Sequence, residues 1–465
     1  MLNYDLIVIG SGPGGYVSAI RASQFGLKVA VVEREHLGGI CLNWGCIPTK
    51  SLLKSAQVYR YAVNAAEYGL KLEGKVSVDY AAIVARSREV AENMNKGLQF
   101  LLKKNKIDVI WGKGKLEAQG RVTVIDAEGK SSLLTAENVI LATGARAREL
   151  SNLPVDGKKV ICYRQALALP QQPKTMLVVG SGAIGCELAF FYQSIGTQVT
   201  LVEVLPQIIP HEDEDLARQL ERSFKKAGMK ILTKTAVQSV DISGEGCSVK
   251  IKTPKGIETH HVDIVLSAVG VTPNIENIGL EEAGIKTEKG FVAVDQYYQT
   301  NLEGVYAIGD IIDTPALAHV ASAEGIACVK HIADLSPEPI NYSNIPVCIY
   351  TTPEIASLGL TEKAARESGY DVHVGKFPFT ASGKAATAGA KDGFVKLIFD
   401  AEYDVLLGAH MIGENVTEML AGLVIAHEMR ITSDELIGLI YPHPTMSEAI
   451  MEAAALAACS QTIHM

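Results

Sequence analysis

Residues 38–50 read GGICLNWGCIPTK and place Cys41 and Cys46 with four residues between them. Such a pair can be a structural staple, half of a metal site, or a disulfide that opens and closes during catalysis. Only eight cysteines occur in 465 residues, at 41, 46, 162, 186, 247, 328, 348 and 459. That scatter is no disulfide scaffold and points to a reducing compartment. Zinc would need two more ligands grouped nearby, and none follows Cys46, so no metal is expected. A close pair in a reducing compartment then serves redox chemistry, with an inert reduced pair as the alternative. Pro48 and the apolar run SLLKSAQVY predict a helix starting at the cysteines. A helix N-terminus favours thiolate, the form that carries out sulfur exchange. Cys162, Cys186, Cys247, Cys328 and Cys348 sit mostly in apolar or strand-like stretches and are read as small core hydrophobes, and Cys459 near the C-terminus is read as incidental.

The elements that must position this pair repeat along the chain. LIVIGSGPGGYVSAIRASQFGLKVAVVE (6–33) resembles LVVGSGAIGCELAFFYQSIGTQVTLVE (177–203). A shift of 170 residues carries Gly10, Gly12, Gly15, Gly26 and Glu33 onto Gly180, Gly182, Gly185, Gly196 and Glu203. Each copy predicts a strand, a Gly-x-Gly-x-x-Gly turn, a helix, and a second strand ending in an acid. The first glycine allows the tight turn, the second a close pyrophosphate, and the third close packing of helix on strand. The helix N-terminus supplies N–H groups to the phosphates. Glu33 and Glu203 can accept hydrogen bonds from a ribose 2′-hydroxyl. No arginine follows Glu203 in EVLPQ, which favours NAD over NADP. Two such folds suggest one tightly held and one exchanging dinucleotide, FAD and NAD.

ENVILATGAR (137–146) and HVDIVLSAVGVTPN (261–274) each read as a strand ending in a glycine turn, where the chain passes between nucleotide domains. TNLEGVYAIGD (300–310) is a strand ending in Asp310, which could hold a ribityl hydroxyl or cap a helix. From about residue 343 the pattern changes to strands such as GFVKLIFD and VLLGAHMIG, with helices over 416–429 and 447–459. The fold class expected is α/β: two Rossmann-like dinucleotide-binding domains, for FAD and NAD, plus a C-terminal α+β dimerisation domain. The divisions expected are 1–148 (FAD, first part), 149–270 (NAD), 271–342 (FAD, second part) and 343–465 (interface).

The bulk numbers are an ordinary globular balance: 48% hydrophobic, 20% charged. A net charge of −9 gives no basic footprint for nucleic acid or anionic membrane. No apolar run reaches the ~18 residues of a spanning helix. MLNYDLIVIG enters a strand pattern without a signal-peptide n-region, so a cytoplasmic location is expected, or the mitochondrial matrix if a transit peptide has been removed.

GGxCxNxGCxPxK after a first glycine fingerprint, a second fingerprint, AIGD and a terminal HPTxSE resemble the flavin-dependent pyridine nucleotide-disulfide oxidoreductases over essentially the whole chain. ALAHVASAEG (316–325) resembles the flavin-contacting segment of the dihydrolipoyl dehydrogenase branch. The glutathione-reductase-like alternative would carry arginines after the second fingerprint. The mercuric-reductase-like one would carry a vicinal cysteine pair near the C-terminus, where this chain has only Cys459. Three departures stand out: Ile40 where threonine is commoner, Trp44 between the cysteines, and no second histidine shortly before His443.

The resemblance implies NAD-dependent oxidation of protein-bound dihydrolipoamide by a homodimer serving a 2-oxoacid dehydrogenase or glycine cleavage complex through its lipoyl domain. It makes Cys46 the flavin-side thiolate and Cys41 the sulfur that exchanges with substrate. His443 becomes the base, acting on the disulfide of the other subunit. Glu448 holds its tautomer. Cofactor contacts are expected from Gly10, Gly12, Gly15, Glu33, Lys50, Gly114, Thr143, Gly144, Gly180, Gly182, Gly185, Glu187, Glu203, Gly270, Asp310, Ala318 and His319. Glu187 resembles an acid near the nicotinamide, with a salt-bridging helix residue as the alternative.

Overall fold

The computed structural model describes residues 2–464, and these divide into two compact units. One comprises residues 2–52, 81–148 and 270–340; the other comprises 53–80, 149–269 and 341–464.

The first unit is built on a seven-stranded sheet. Leu2–Ile9 lies between Val29–Glu33 and Ser131–Leu141, all parallel, and Asp108–Trp111 extends the parallel edge beside Val29–Glu33. The long strand Ser131–Leu141 serves two neighbours. Its first half takes Arg121–Ile125 antiparallel, and its last residues take Val305–Ala307 parallel. Leu6, Ile7, Val8, Ala30, Val31, Val139 and Ile140 are fully buried, as a parallel sheet covered on both faces requires. The helix Pro13–Gln24, with proline in its first turn, packs on Ala318–Ile332. Proline tolerates that position because the first helical N–H groups have no intrahelical partner.

The second unit contains a five-stranded parallel sheet in the order Lys230–Leu232, Gln198–Val202, Thr175–Val179, Ile264–Ser267, Val160–Ile161. A three-stranded antiparallel sheet, Ala236–Asp241, Cys247–Thr253 and Gly256–Val262, accompanies it. The region after residue 343 forms a five-stranded antiparallel sheet, with Phe394–Asp400 and Leu406–Gly413 at its centre. All seven residues of Phe394–Asp400 are buried, Lys396 among them. Helices Val416–Glu428 and Glu448–Cys459 cover this sheet, close to the expected spans.

The two glycine repeats fold alike. Helices begin at Pro13 and Ala183, each preceded by an extended glycine cap, Gly12 or Gly182. The second strands end at Glu33 and Val202. No helix among the described residues is long and apolar enough to cross a membrane.

Candidate functional site: a dithiol above a glycine turn, and an acid–base pair

The first glycine turn is locked by contacts that leave no room for side chains. A Cβ at Gly15 would run into the Gly10 carbonyl, and one at Gly10 into the Ala142 carbonyl. Gly10 also has φ +102°, open to glycine but costly for L side chains. Gly12, in contrast, has nothing within 4 Å of where a side chain would begin. Space therefore opens above the helix N-terminus, where a pyrophosphate can lie. The second turn reproduces this at Gly180, Gly182 and Gly185, with Ala268 in the place of Ala142.

At both turns the serine between the first two glycines holds the acid of the second strand. Ser11 donates its backbone N–H (3.1 Å) and hydroxyl to Glu33 Oε2, while Arg34 and Glu35 N–H groups donate to Oε1. Ser181 N–H (2.9 Å) and Oγ–H (2.7 Å) donate to Glu203 Oε2, and Leu205 N–H donates to Oε1. Both carboxylates are buried and oriented before any ribose arrives. The two serines were not singled out from sequence, although both quoted repeats contain Gly-Ser-Gly.

The redox segment is fastened to the first turn. Gly38 N–H donates to the Ser11 carbonyl, and Gly39, at φ +59°, lies so close to the Gly12 Cα that a Cβ there would meet it at 2.7 Å. Cys41 then falls in a short helix, Gly39–Trp44, and Cys46 opens an 18-residue helix, Cys46–Val63. The predicted helix start is thus split, with only Cys46 at the long helix's N-terminus.

Both cysteines are present as thiols, within hydrogen-bonding reach of each other. The Cys41 thiol is pushed well above its ordinary value by its hydrogen bond to Cys46, by burial, and by the Cys46 charge. Lys50 and the Cys46 N–H act in the opposite sense. Cys46 sits at the N-terminus of the long helix, whose dipole favours a thiolate there. The Tyr16 phenol is raised by burial and by these two sulfurs.

The helix Tyr80–Lys104 braces the segment from outside. Arg88 donates to the Asn43 carbonyl (2.7 Å) and lies over the Trp44 ring, 4.5 Å from its centroid. Asn95 donates to the Leu37 carbonyl, and Arg86 to Ser51. These braces are polar residues of an amphipathic helix, and nothing in their spacing marks them from sequence.

Asp310 lies in the short turn Gly309–Ile311 after the strand Val305–Ala307. Burial raises its carboxyl pKa, and no donor among the described residues reaches it. Such a half-buried acceptor suits a ligand hydroxyl. Ala318 and His319 are the first two residues of Ala318–Ile332, where helix N–H groups point outward. Thr143 Oγ–H donates to the Asn274 carbonyl, and the Asn274 N–H donates to the carbonyl of Gly144, so these two residues tie 143–144 to 274. Gly114 lies in a strand against Ile9 and Val32, and Gly270 accepts from the Arg148 N–H. In the second unit Glu187, 4% exposed, accepts the Tyr350 N–H at 2.9 Å.

His443 and Glu448 come together at 2.8 Å, Nδ1 to Oε1, while the other Glu448 oxygen accepts the Thr445 N–H. Burial pushes the Glu448 carboxyl up, but the His443 and Thr445 hydrogen bonds outweigh it and hold the carboxyl below its usual range. With Nδ1–H given to Glu448, Nε2 of the exposed imidazole is left to accept a proton.

Residues 4–325 match the model of the pyridine nucleotide-disulphide oxidoreductases, and 345–454 that of their dimerisation domain. The chain belongs to the pyridine nucleotide-disulphide oxidoreductase family. It is 49% identical to a dihydrolipoyl dehydrogenase of Zymomonas mobilis, covering 99% of both chains. It is 48% identical to one of Rhizobium etli (97% of each) and 42% identical to one of Bacillus subtilis (99% of each). Among solved structures it resembles LpdA of Mycobacterium tuberculosis, with a TM-score of 0.89 at 28% identity over 98% of this chain and 99% of that one. This member of the family is a flavoprotein oxidoreductase that uses FAD and NAD, and it carries the dimerisation domain. The open glycine turns, the serine-held acids Glu33 and Glu203, and the Asp310 carboxyl, which no donor among the described residues reaches, fit these two dinucleotides.

Proposed function

We propose that the chain is an NAD-dependent dihydrolipoyl dehydrogenase that reoxidises the lipoyl domain of a 2-oxoacid dehydrogenase or glycine cleavage complex in the cytoplasm. The carrying observation is the Cys41–Cys46 dithiol, two thiols within hydrogen-bonding reach with Cys46 at a helix start. The full-length similarity to dihydrolipoyl dehydrogenases supports the substrate.

In this reading a substrate thiolate attacks the Cys41–Cys46 disulfide at Cys41, and Cys46 leaves as thiolate. The second substrate thiolate attacks the mixed disulfide, forming the cyclic disulfide product and releasing Cys41. The substrate is oxidised by two electrons and the protein pair reduced by two. His443 Nε2 takes the proton of the substrate thiol, and Glu448 stabilises the resulting imidazolium. In the homodimer His443 serves the pair of the other protomer. Held by Gly10, Gly12, Gly15 and Asp310, FAD would supply the two-electron chemistry that links the dithiol to NAD⁺.

Residues 1–148 and 271–342 supply the FAD domain, with Gly10, Gly12, Gly15, Glu33, Gly114, Thr143, Gly144, Asp310, Ala318 and His319 at the ligand and Lys50 beside the ring. Residues 149–270 supply the NAD domain, with Gly180, Gly182, Gly185, Glu187, Glu203 and Gly270; residues 343–465 form the interface. Mixing the purified flavoprotein with dihydrolipoamide and NAD⁺ tests the reading. NADH should form with NAD⁺ and not with NADP⁺, faster still from a reduced lipoyl domain. Absence of NADH formation would remove the proposal.

A further inference from the structure

Lys396 is buried in the middle of the C-terminal sheet, its side chain 4% exposed. Its ammonium meets both oxygens of Asp213 at 3.0 Å, Asp215 at 3.1 Å and Glu362 at 2.9 Å. The cross-strand neighbour His410 gives its Nε2–H to the Leu360 carbonyl, and burial keeps its pKa low. The carboxylates alone therefore answer the lysine's charge.

Asp213 is 3% exposed and caps the helix Glu214–Lys226 by accepting the Asp215 N–H. The segment before it runs back to the second glycine turn. Glu212 N–H donates to the Ile209 carbonyl, and Ile209 N–H donates to the Ser181 carbonyl at 2.9 Å. Ser181 is the residue that orients Glu203. Ile209 makes this contact at φ +43°, a conformation a β-branched residue adopts only when its surroundings impose it. Ile209 is itself 2% exposed, and a cleft of about 700 Å³ opens beside the segment, bordered by Leu205, Gln207, Asp213 and Lys396.

The first repeat has the same attachment. There the Ser11 carbonyl receives the Gly38 N–H, and the chain continues into the redox helices. In the second repeat it continues into the helix pinned by Lys396.

We propose that Lys396 is a positioning residue for the nicotinamide-dinucleotide seat: by holding Asp213 it keeps Ile209 on Ser181 and so fixes the acid that receives the ribose. This inference rests on the proposed NAD site. Equilibrium binding of NADH to the flavin-loaded dimer tests it. Lys396→Met should weaken NADH about tenfold. The KM for NAD⁺ should rise in step, while kcat and reduction by dihydrolipoamide stay unchanged. The neutral pair Lys396→Met/Asp213→Asn leaves no unpaired buried charge and should show the same loss, whereas Lys396→Arg should restore most of the affinity. In the unaltered protein, NADH should slow amide exchange over 207–215 and 394–398. Wild-type NADH affinity in a folded variant, or no change in exchange over those segments, overturns the proposal while leaving the nucleotide site standing. A wild-type protein that does not bind NADH removes the site itself.

Discussion

His443 and Glu448 form a hydrogen bond at 2.8 Å that fixes which imidazole nitrogen is free. Glu448→Gln keeps the shape and removes the charge that stabilises the imidazolium. Turnover with dihydrolipoamide should fall about 10²-fold, while oxidation of NADH by ferricyanide, which needs no thiol chemistry, stays near wild type. Because the Glu448 carboxyl is held below its usual range, it is ionised through neutral pH. Its contribution is present above the ordinary carboxylate range and is lost as pH falls through the lowered value. The acid limb of the rate profile should change in the variant, and an unaltered limb would count against the pairing.

The contact between Gly15 and the Gly10 carbonyl predicts an all-or-none effect of one methyl group. Gly15→Ala must push helix from strand at the first turn. Flavin absorbance per subunit should drop to the background of apoprotein. Gly12→Ala faces open space and should reduce flavin content only to the extent that the ligand itself needs that space.

Glu203 is oriented by three hydrogen bonds before a nucleotide binds. Glu203→Gln loses the charge toward the ribose hydroxyl and presents an N–H₂ that opposes a donor. NAD⁺ should bind about tenfold more weakly, the cost of one charge-assisted hydrogen bond of ~1.5 kcal/mol. Flavin content should be unchanged, because Glu203 lies in the second unit and Glu33 is held by its own serine in the first.

Glu212 is next to Asp213, and burial lifts its carboxyl pKa to about 6, with the Ser357 hydrogen bond opposing and Asp213 adding to the rise. The folded state thus binds a proton that the unfolded state releases near 4.5. Stability contributed by this group is full below that value and is lost as pH rises to about 6, a change of roughly 2 kcal/mol. Glu212→Gln should flatten the melting temperature across this window and raise it at pH 7.

Much of the first and second nucleotide frames was legible because glycine spacing, strand and acid recur together. The physics of a phosphate turn permits few alternatives there. The C-terminal helices and central strands were legible from apolar pattern as well. The braces on the redox segment were not: Arg88, Asn95 and Arg86 act across long sequence separations, and polar residues on a helix usually face water. Lys396 was equally hidden. It lies in GFVKLIFD, where a lone lysine in a strand reads as an outward-facing residue. Only the tertiary arrangement shows three carboxylates gathered around it. Ser11 and Ser181 fall between these cases, visible in the repeated text but given meaning only by the glutamates they hold.

The matching attachment of Gly38 and Ile209 to their serine carbonyls has an engineering consequence. The two cradles carry different segments downstream, so changes within residues 204–210 leave the attachment of the cysteine segment at Ser11 untouched. An alteration to one cradle leaves the other as it was.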